Sequence, residues 1–304
     1  MNYRHAFHAG NFADVHKHVL LLGLLELLMR KDSPLCVIDS HAGRGVYDLS
    51  QVSAQRSGEF RDGIGRMPEP RRAHHAWVRD YLQAVHRLRQ LGSGQTYPGS
   101  PALIASRLRA GDRGLLIERE HEECEALRAW ARTQNGLAVH ERDAYEGIPA
   151  LTPPPERRGL VLIDPPYEEE RDDWKPVQAL LLNAWKRWPT GVFALWYPIK
   201  HEVQTRRFLR QLAAAGLPRM LSCELCVKPA DQALGLNGSG LLMVNPPWTF
   251  AQQAQGAQKE LWGLLSPEGR GGHRVQEWSS DNKAKESETD KAVAKKPGFR
   301  QGPR

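Results

Sequence analysis

Short apolar runs bounded by turn residues recur along the chain, and the intervals between them carry a helical period. Seven runs predict strands, at residues 35–39, 115–118, 137–140, 160–164, 192–197, 221–227 and 241–245. Several are apolar at consecutive positions, as strands covered by helices on both faces must be. Alternation with helical stretches predicts an α/β fold built on a doubly wound, mostly parallel sheet. Ahead of the first strand the spacing predicts a helix over 13–30, stopped by Asp32-Ser33-Pro34. Its most apolar part, 20–29, is interrupted by Gly23 and Glu26 and is half the roughly 20 residues a membrane span needs. Asp14 ahead of the run, and no small-x-small cleavage site after it, argue against a signal peptide. The expectation is a buried helix and no membrane.

The interval between the first two strands is far longer than a crossover requires. Within it Trp77, Val78, Tyr81, Leu82, Val85, Leu88 and Leu91 fall at helical spacing, with Arg72, Arg79 and Arg87 largely off that face. Residues 50–95 are read as a small helical insertion inside a domain spanning 1–278. Residues 279–304, with almost no large apolar side chains, are read as a disordered basic tail.

Charge sharpens this division. The net charge is +7 over 304 residues, yet residues 50–113 hold eleven arginines and no lysine against five acids. The tail holds seven Lys/Arg against four acids, which leaves the remainder slightly acidic. Arginine suits phosphate and stacked bases, but the same residues suit a merely soluble helical surface. Both readings stand on this feature alone. Four cysteines at irregular spacing are too few for a disulfide framework, which implies a reducing cytoplasm. Cys223 and Cys226, three apart in a strand, point to opposite faces and do not share a metal there.

Three signals carry chemistry. Val37-Ile38-Asp39-Ser40-His41-Ala42-Gly43-Arg44-Gly45 is a strand running into a glycine-bearing turn, where a ligand can lie against the strand end. The dinucleotide fingerprint is not met, because Asp48 stands where a third glycine would be, so hydride transfer is disfavoured. Glu118 closes the next strand, where a carboxylate can take both ribose hydroxyls of a nucleoside. Asp143-Ala144 follows the third, where a side chain can meet an adenine amine. Taken singly, each is also an ordinary solvated acid at a strand end.

The third signal decides between these. Leu160-Val161-Leu162-Ile163-Asp164-Pro165-Pro166-Tyr167 is an apolar strand ending in Asp-Pro-Pro-Tyr. The exocyclic amine of adenine is a poor nucleophile because its lone pair is delocalised into the ring. Two acceptors aimed at its hydrogens, the Asp164 carboxylate and the Pro165 carbonyl, pull the nitrogen towards tetrahedral geometry. Consecutive prolines hold that carbonyl rigidly, and Tyr167 offers a face on which an extruded base can stack. Asn245-Pro246-Pro247-Trp248 satisfies the same loose pattern. It ends the seventh predicted strand, expected near the far edge of the sheet and remote from the site.

These motifs resemble the RlmJ-type 23S rRNA adenine-N6 methyltransferases. The resemblance rests on Tyr3-Arg4-His5-Ala6-Phe7-His8-Ala9-Gly10-Asn11-Phe12-Ala13-Asp14-Val15-His16-Lys17-His18, the most specific of them. Asp39-Ser40-His41-Ala42-Gly43, Tyr97-Pro98-Gly99-Ser100-Pro101, Asp164-Pro165-Pro166-Tyr167 and Ala194-Leu195-Trp196-Tyr197-Pro198 extend it. It implies a Rossmann-like class I methyltransferase fold, with S-adenosylmethionine as cofactor. The cofactor would lie against His18, His41, Ser100, Glu118, Asp143, Ala144 and Asp164, with Lys17 close by. Tyr3 would touch the substrate, and the family's target is adenine 2030 of 23S rRNA. A cytoplasmic monomer acting on 23S rRNA is the expectation.

The opening segment, with His5, His8, His16, His18 and Asp14, also invites a metal reading. No further ligands are marked, and transfer from a sulfonium needs no metal, so none is expected. Three rivals remain. One is a non-catalytic RNA-binding protein on a nucleotide-binding fold, which Asp164 argues against. A DNA adenine-N6 methyltransferase would need a larger target-recognition domain than the insertion supplies. An enzyme methylating glutamine amides, with Asn-Pro-Pro-Tyr, would leave the arginine-rich insertion unused.

Overall fold

The structure, a computed structural model, describes residues 5–92, 94–167, 174–229 and 235–278. Tyr3 and the basic tail of the sequence reading lie outside these residues. Helix α1 (Phe12–Leu28) opens the described fold, two residues shorter at its C-terminus than the spacing predicts. Asn11 caps it by accepting from the Asp14 amide at 2.9 Å. Most of its side chains are buried, because it is covered on several sides by other elements. Among the described residues no helix is long and apolar enough to cross a membrane.

Strand β1 (Cys36–Asp39) leads through a glycine turn to β2 (Val46–Asp48). Helices α2 (Val52–Ser57) and α3 (Ala76–Leu91) follow, with short 3-10 turns between them. The chain returns on β3 (Thr96–Pro98), antiparallel to β2. Helix α3 buries Trp77, Val78, Tyr81, Leu82 and Val85 as its spacing predicts. Leu91 departs from that prediction: at the last position of the helix it has run past the surfaces that cover the apolar face, and it is 87% exposed.

From α4 (Ser100–Ala105) onward strands and helices alternate. In order they are β4 (Arg113–Glu118), α5 (His121–Ala131), β5 (Leu137–Glu141), α6 (Ala144–Leu151), β6 (Gly159–Ile163), α7 (Trp174–Arg187), β7 (Val192–Ile199) and α8 (Glu202–Ala214). The chain closes on β8 (Met220–Cys226), β9 (Gly238–Val244), α9 (Phe250–Leu265) and β10 (Gly272–Trp278). The main sheet is ordered β5-β4-β1-β6-β7-β9-β8-β10. Its first five strands are parallel, while β9 runs antiparallel to both β7 and β8.

The consecutive apolar positions now divide between two helical layers. Val37, Leu160, Leu162, Leu241 and Met243 pack in the core that includes α1 and α9. Ile38, Val161, Ile163, Leu242 and Val244 pack in the one that includes α7 and α8.

Two expectations about the sheet are corrected. Among the described residues it has eight strands, not seven. The additional strand, β10, is an edge strand on which only Trp278 is fully buried, so Gly272-His273-Arg274-Val275-Gln276-Glu277-Trp278 carries no apolar run to read. The strand ending before Asn245 is not near the far edge either. It is inserted between β7 and β8, because the connection from β8 folds back antiparallel and β9 pairs on both sides. Asn245 is still remote from the ends of β1 and β6, through strand direction rather than strand order.

Candidate active site

Parallel strands deliver their carboxyl ends to one side of the sheet, and strand order reverses between β1 and β6, with β4 on the other flank of β1. That switch point is where an open α/β sheet leaves a crevice. Here it opens into a cavity of about 1100 Å³. Lys17, His18, His41, Ser100, Glu118, Asp143, Ala144, Asp164, Pro165 and Tyr167 all line it. The structure therefore brings together every candidate site residue that falls within the described chain.

The turn after β1 forms one wall. Gly43 and Gly45 have φ of +58° and +82°, which L side chains rarely adopt. A Cβ on Gly43 would meet the Tyr47 hydroxyl at 2.1 Å. The Gly43 amide donates to Glu118 Oε2 at 2.8 Å, and the Glu120 amide to Oε1 at 2.8 Å, so the carboxylate is held by backbone at both oxygens. Asp143 caps α6 by accepting from the Tyr145 amide at 2.7 Å. Ser40 Oγ accepts from the Asp164 amide at 3.2 Å and lies 2.6 Å from His41 Nδ1, tying β1 to the Asp-Pro-Pro-Tyr turn.

Helix α1 contributes the second wall. Asp14 and Lys17 are one turn apart, and the Lys17 ammonium sits between Asp14 Oδ1 at 3.0 Å and Asp164 Oδ2 at 2.5 Å. Burial disfavours the Lys17 charge, but the two carboxylates outweigh it and raise the ammonium well above its usual range. Burial likewise pushes Asp14 up, yet Lys17 and His5 hold it well below the carboxylate range. Asp164 Oδ1 has no hydrogen-bond partner among the described residues. Asp14 was legible only as a conceivable metal ligand. Its i,i+3 spacing to Lys17 was the signal for an ion pair.

The histidines of the opening segment diverge. His5 meets Asp14, His8 meets Glu59, His16 meets Ser239 and Gln258, and His18 meets Tyr97. They do not form a common ligand set among the described residues. Tyr97 in turn contacts the Tyr81 hydroxyl at 3.1 Å. This leaves the buried Nε2 of His18 unpartnered on a residue that lines the cavity.

The last wall is aromatic. The Tyr167 hydroxyl donates to the Trp196 carbonyl at 2.9 Å, and its ring lies 5.6 Å from the Trp196 ring and 5.4 Å from Trp174. Among the described residues of 50–95, only Glu59, Asp62 and Arg66 reach the cavity, so the arginines of α3 lie outside it.

Residues 32–280 match the family described as "Ribosomal RNA large subunit methyltransferase D, RlmJ". The chain belongs to the RlmJ family. It is 38% identical over 279 residues to the Ribosomal RNA large subunit methyltransferase J of Haemophilus influenzae, spanning 91% of this chain and 98% of that one. To the protein of the same name from Escherichia coli it is 36% identical over 286 residues, with the same shares. A Legionella pneumophila crystal structure superposes with a TM-score of 0.79 at 32% identity, covering 90% of this chain and 99% of that one.

In this RlmJ-family methyltransferase two buried histidines make stability depend on pH. Burial lowers His16 to about 4 and His18 to about 3, from 6.5. A folded-state value below the unfolded one means that the unfolded chain takes up protons first. Stability therefore falls as pH drops below about 6.5 and continues to fall towards the folded values. Each ring approaches a slope of about 1.4 kcal/mol per pH unit. His41, lowered to about 4 by burial, acts in the same sense, while His8, raised by Glu59, and Asp39, pushed up to about 7 by burial, act in the opposite sense and offset part of this. The urea midpoint should fall less between pH 6.5 and 5 in His16→Gln than in the wild type, and an equal fall would contradict neutral burial of that ring.

Proposed function

We propose that the chain transfers a methyl group from S-adenosylmethionine to the N6 amine of an adenine in 23S rRNA, adenine 2030 being the family's position. The observation that carries this reading is the Asp164 carboxylate at the carboxyl end of β6. Oδ2 is immobilised by Lys17, while Oδ1 lacks a partner among the described residues. Asp164 Oδ1 would accept one hydrogen of the amine, and the Pro165 carbonyl the other. The lone pair is thereby freed from the ring for in-line attack. Tyr167, anchored through its hydroxyl, presents the face against which the base lies.

The cavity suits the cofactor that this chemistry requires. Nine carboxylates line it against seven Lys/Arg, which favours a cationic sulfonium. His18 Nε2 offers an orphaned polar atom at the wall. The volume exceeds the roughly 300–1,000 Å³ of an ordinary small-ligand pocket, as a site holding a cofactor and an extruded nucleotide together must. When bound, S-adenosylmethionine supplies a methyl carbon activated by the positive sulfur. His18, His41, Ser100, Glu118, Asp143 and Ala144 would hold it over the β1, β4 and β5 ends. Glu118 stands where the ribose hydroxyls would lie, and Asp143-Ala144 where the adenine edge would.

The test is mass-spectrometric mapping of N6-methyladenine in rRNA from cells lacking the gene. Loss of one 23S site, restored by the purified protein, is expected. An unchanged 23S map with altered DNA methylation would transfer the reading to a DNA enzyme.

The α3 side of the molecule would contact RNA phosphates outside the cavity. Arg72 and Arg87 are exposed and Arg79 is half-buried. Reversing all three to Glu should weaken RNA binding and leave cofactor affinity alone. The log affinity against log salt slope should become shallower by roughly 2–3, because fewer counterions are released. An unchanged slope would return these arginines to a solvated surface.

A further inference from the structure

Behind the aromatic wall runs a chain of buried polar groups that the proposed chemistry leaves unused. His16, Ser239 and Gln258 are each 0% exposed. His16 Nε2 lies 3.2 Å from Gln258 Oε1, and Nδ1 lies 2.9 Å from Ser239 Oγ. The Gln258 amide nitrogen donates to the Arg274 carbonyl at 3.1 Å, so its oxygen is the end that faces His16. The ring therefore carries its proton on Nε2. Because burial keeps the ring neutral near pH 7, Nδ1 is an acceptor. The Ser239 hydroxyl gives its single proton to Nδ1, and its oxygen accepts the Trp196 Nε1–H at 2.9 Å. Each proton in this chain has one possible direction.

The chain ends at the active site. Trp196 reaches the cavity, its carbonyl anchors the Tyr167 hydroxyl, and its ring packs against the Tyr167 ring. With the Ser239 acceptor removed, the indole N–H would be left unpaired next to a water-accessible cavity. Turning towards that water is its readiest remedy, and doing so takes the indole off Tyr167.

We propose that His16 and Ser239 are positioning residues for the target base, fixing the Trp196 indole in one orientation and through it the plane of Tyr167. The proposal rests on the reading of Tyr167 as the face on which the base stacks.

The experiment compares Ser239→Ala, His16→Gln and His16→Asn in the full chain. An Asn carboxamide oxygen stands near the position of Nδ1 and keeps the acceptor for Ser239. A Gln amide nitrogen stands near Nε2 and loses that acceptor. Single-turnover methyl transfer to a 23S rRNA fragment should fall about tenfold in Ser239→Ala and His16→Gln, and less than about threefold in His16→Asn. S-adenosylmethionine affinity should stay within about twofold in all three. The ¹⁵N indole resonance of Trp196 should move in the first two variants and not in the third. In a Trp196→Phe background, which has no indole N–H, Ser239→Ala should cost less than about twofold more.

If transfer and cofactor affinity fall together, or all variants lose activity in step with their melting temperatures, the network is only scaffold and the proposal is overturned. An active wild type with an unimpaired Ser239→Ala overturns it as well. A wild type that forms no N6-methyladenine on the fragment removes the functional reading itself, and this inference with it.

Discussion

Asp164→Ala is expected to abolish methyl transfer while the protein stays folded. The side chain lines the cavity, and its loss would leave the proposed amine with the Pro165 carbonyl as its one acceptor of that pair. The rate should fall by at least the roughly 10²–10³-fold that removing one preorganised transition-state hydrogen bond costs. Asp164→Asn keeps an acceptor and should retain measurable turnover. Asn245→Ala is the control. Its Nδ2 donates to the Pro189 and Gly191 carbonyls at 2.8 and 2.9 Å, and its φ is +56°, so it serves a structural turn at the opposite end of the sheet. Replacing it should cost about 1–3 kcal/mol of stability, with activity per folded molecule largely intact. Single-turnover transfer on 23S rRNA fragments, with melts as the folding check, separates the two. A dead but folded Asn245→Ala beside an active Asp164→Ala would overturn the assignment.

Lys17→Met should produce the largest loss of stability, together with loss of activity. The ammonium is buried between two carboxylates, with side-chain exposures of 5% for Lys17, 4% for Asp14 and 13% for Asp164. Removing the cation from a buried pair leaves uncompensated charge and costs about 3–5 kcal/mol. Asp14→Asn in the Lys17→Met background should recover part of that stability. Asp164, 13% exposed, is the more readily hydrated from the cavity, whereas Asp14, 4% exposed, keeps only His5 and the Gly10 amide beside it among the described residues. Recovery of stability without recovery of activity is expected, because Asp164 Oδ2 remains unanchored. If Asp14→Asn lowers the melting temperature further, the loss in Lys17→Met was one of packing.

The same pair sets a pH window. Lys17 is raised, so its contribution is present below the unfolded lysine value of about 10.4 and is lost as pH rises through the folded one. Asp14 is depressed, so its contribution is present above the unfolded carboxylate value of about 3.9 and is lost as pH falls through the folded one.

The elements that build the candidate site were legible in sequence because each is local. Asp164 follows a fully apolar strand, and a strand of that composition must be covered on both faces with its end at a crevice. The Gly43 and Gly45 turn was legible because the backbone there takes a conformation that glycine alone adopts readily. Glu118 and Asp143 were individually ambiguous. Neighbouring parallel strands converted them into one wall, since parallel pairing puts every carboxyl end on the same side.

What lay beyond the sequence depended on contacts between distant segments. Strand β10 buries little besides Trp278 and is held by pairing with β8, so its own residues carry no apolar signature. The place of β9 was misjudged because sequence order does not encode that a strand will turn back and insert between two others. The histidines of the opening segment invited a metal reading, yet His5 precedes α1 while His16 and His18 leave it in different directions, and each meets a different partner. The Lys17–Asp164 pair joins residues 147 apart in the chain. Hydrophobic period and turn chemistry determine an element and its exposed end. Which charge meets which across the cavity is fixed only when the sheet closes, since ion pairs and hydrogen bonds depend on distance in space and leave no period along the chain.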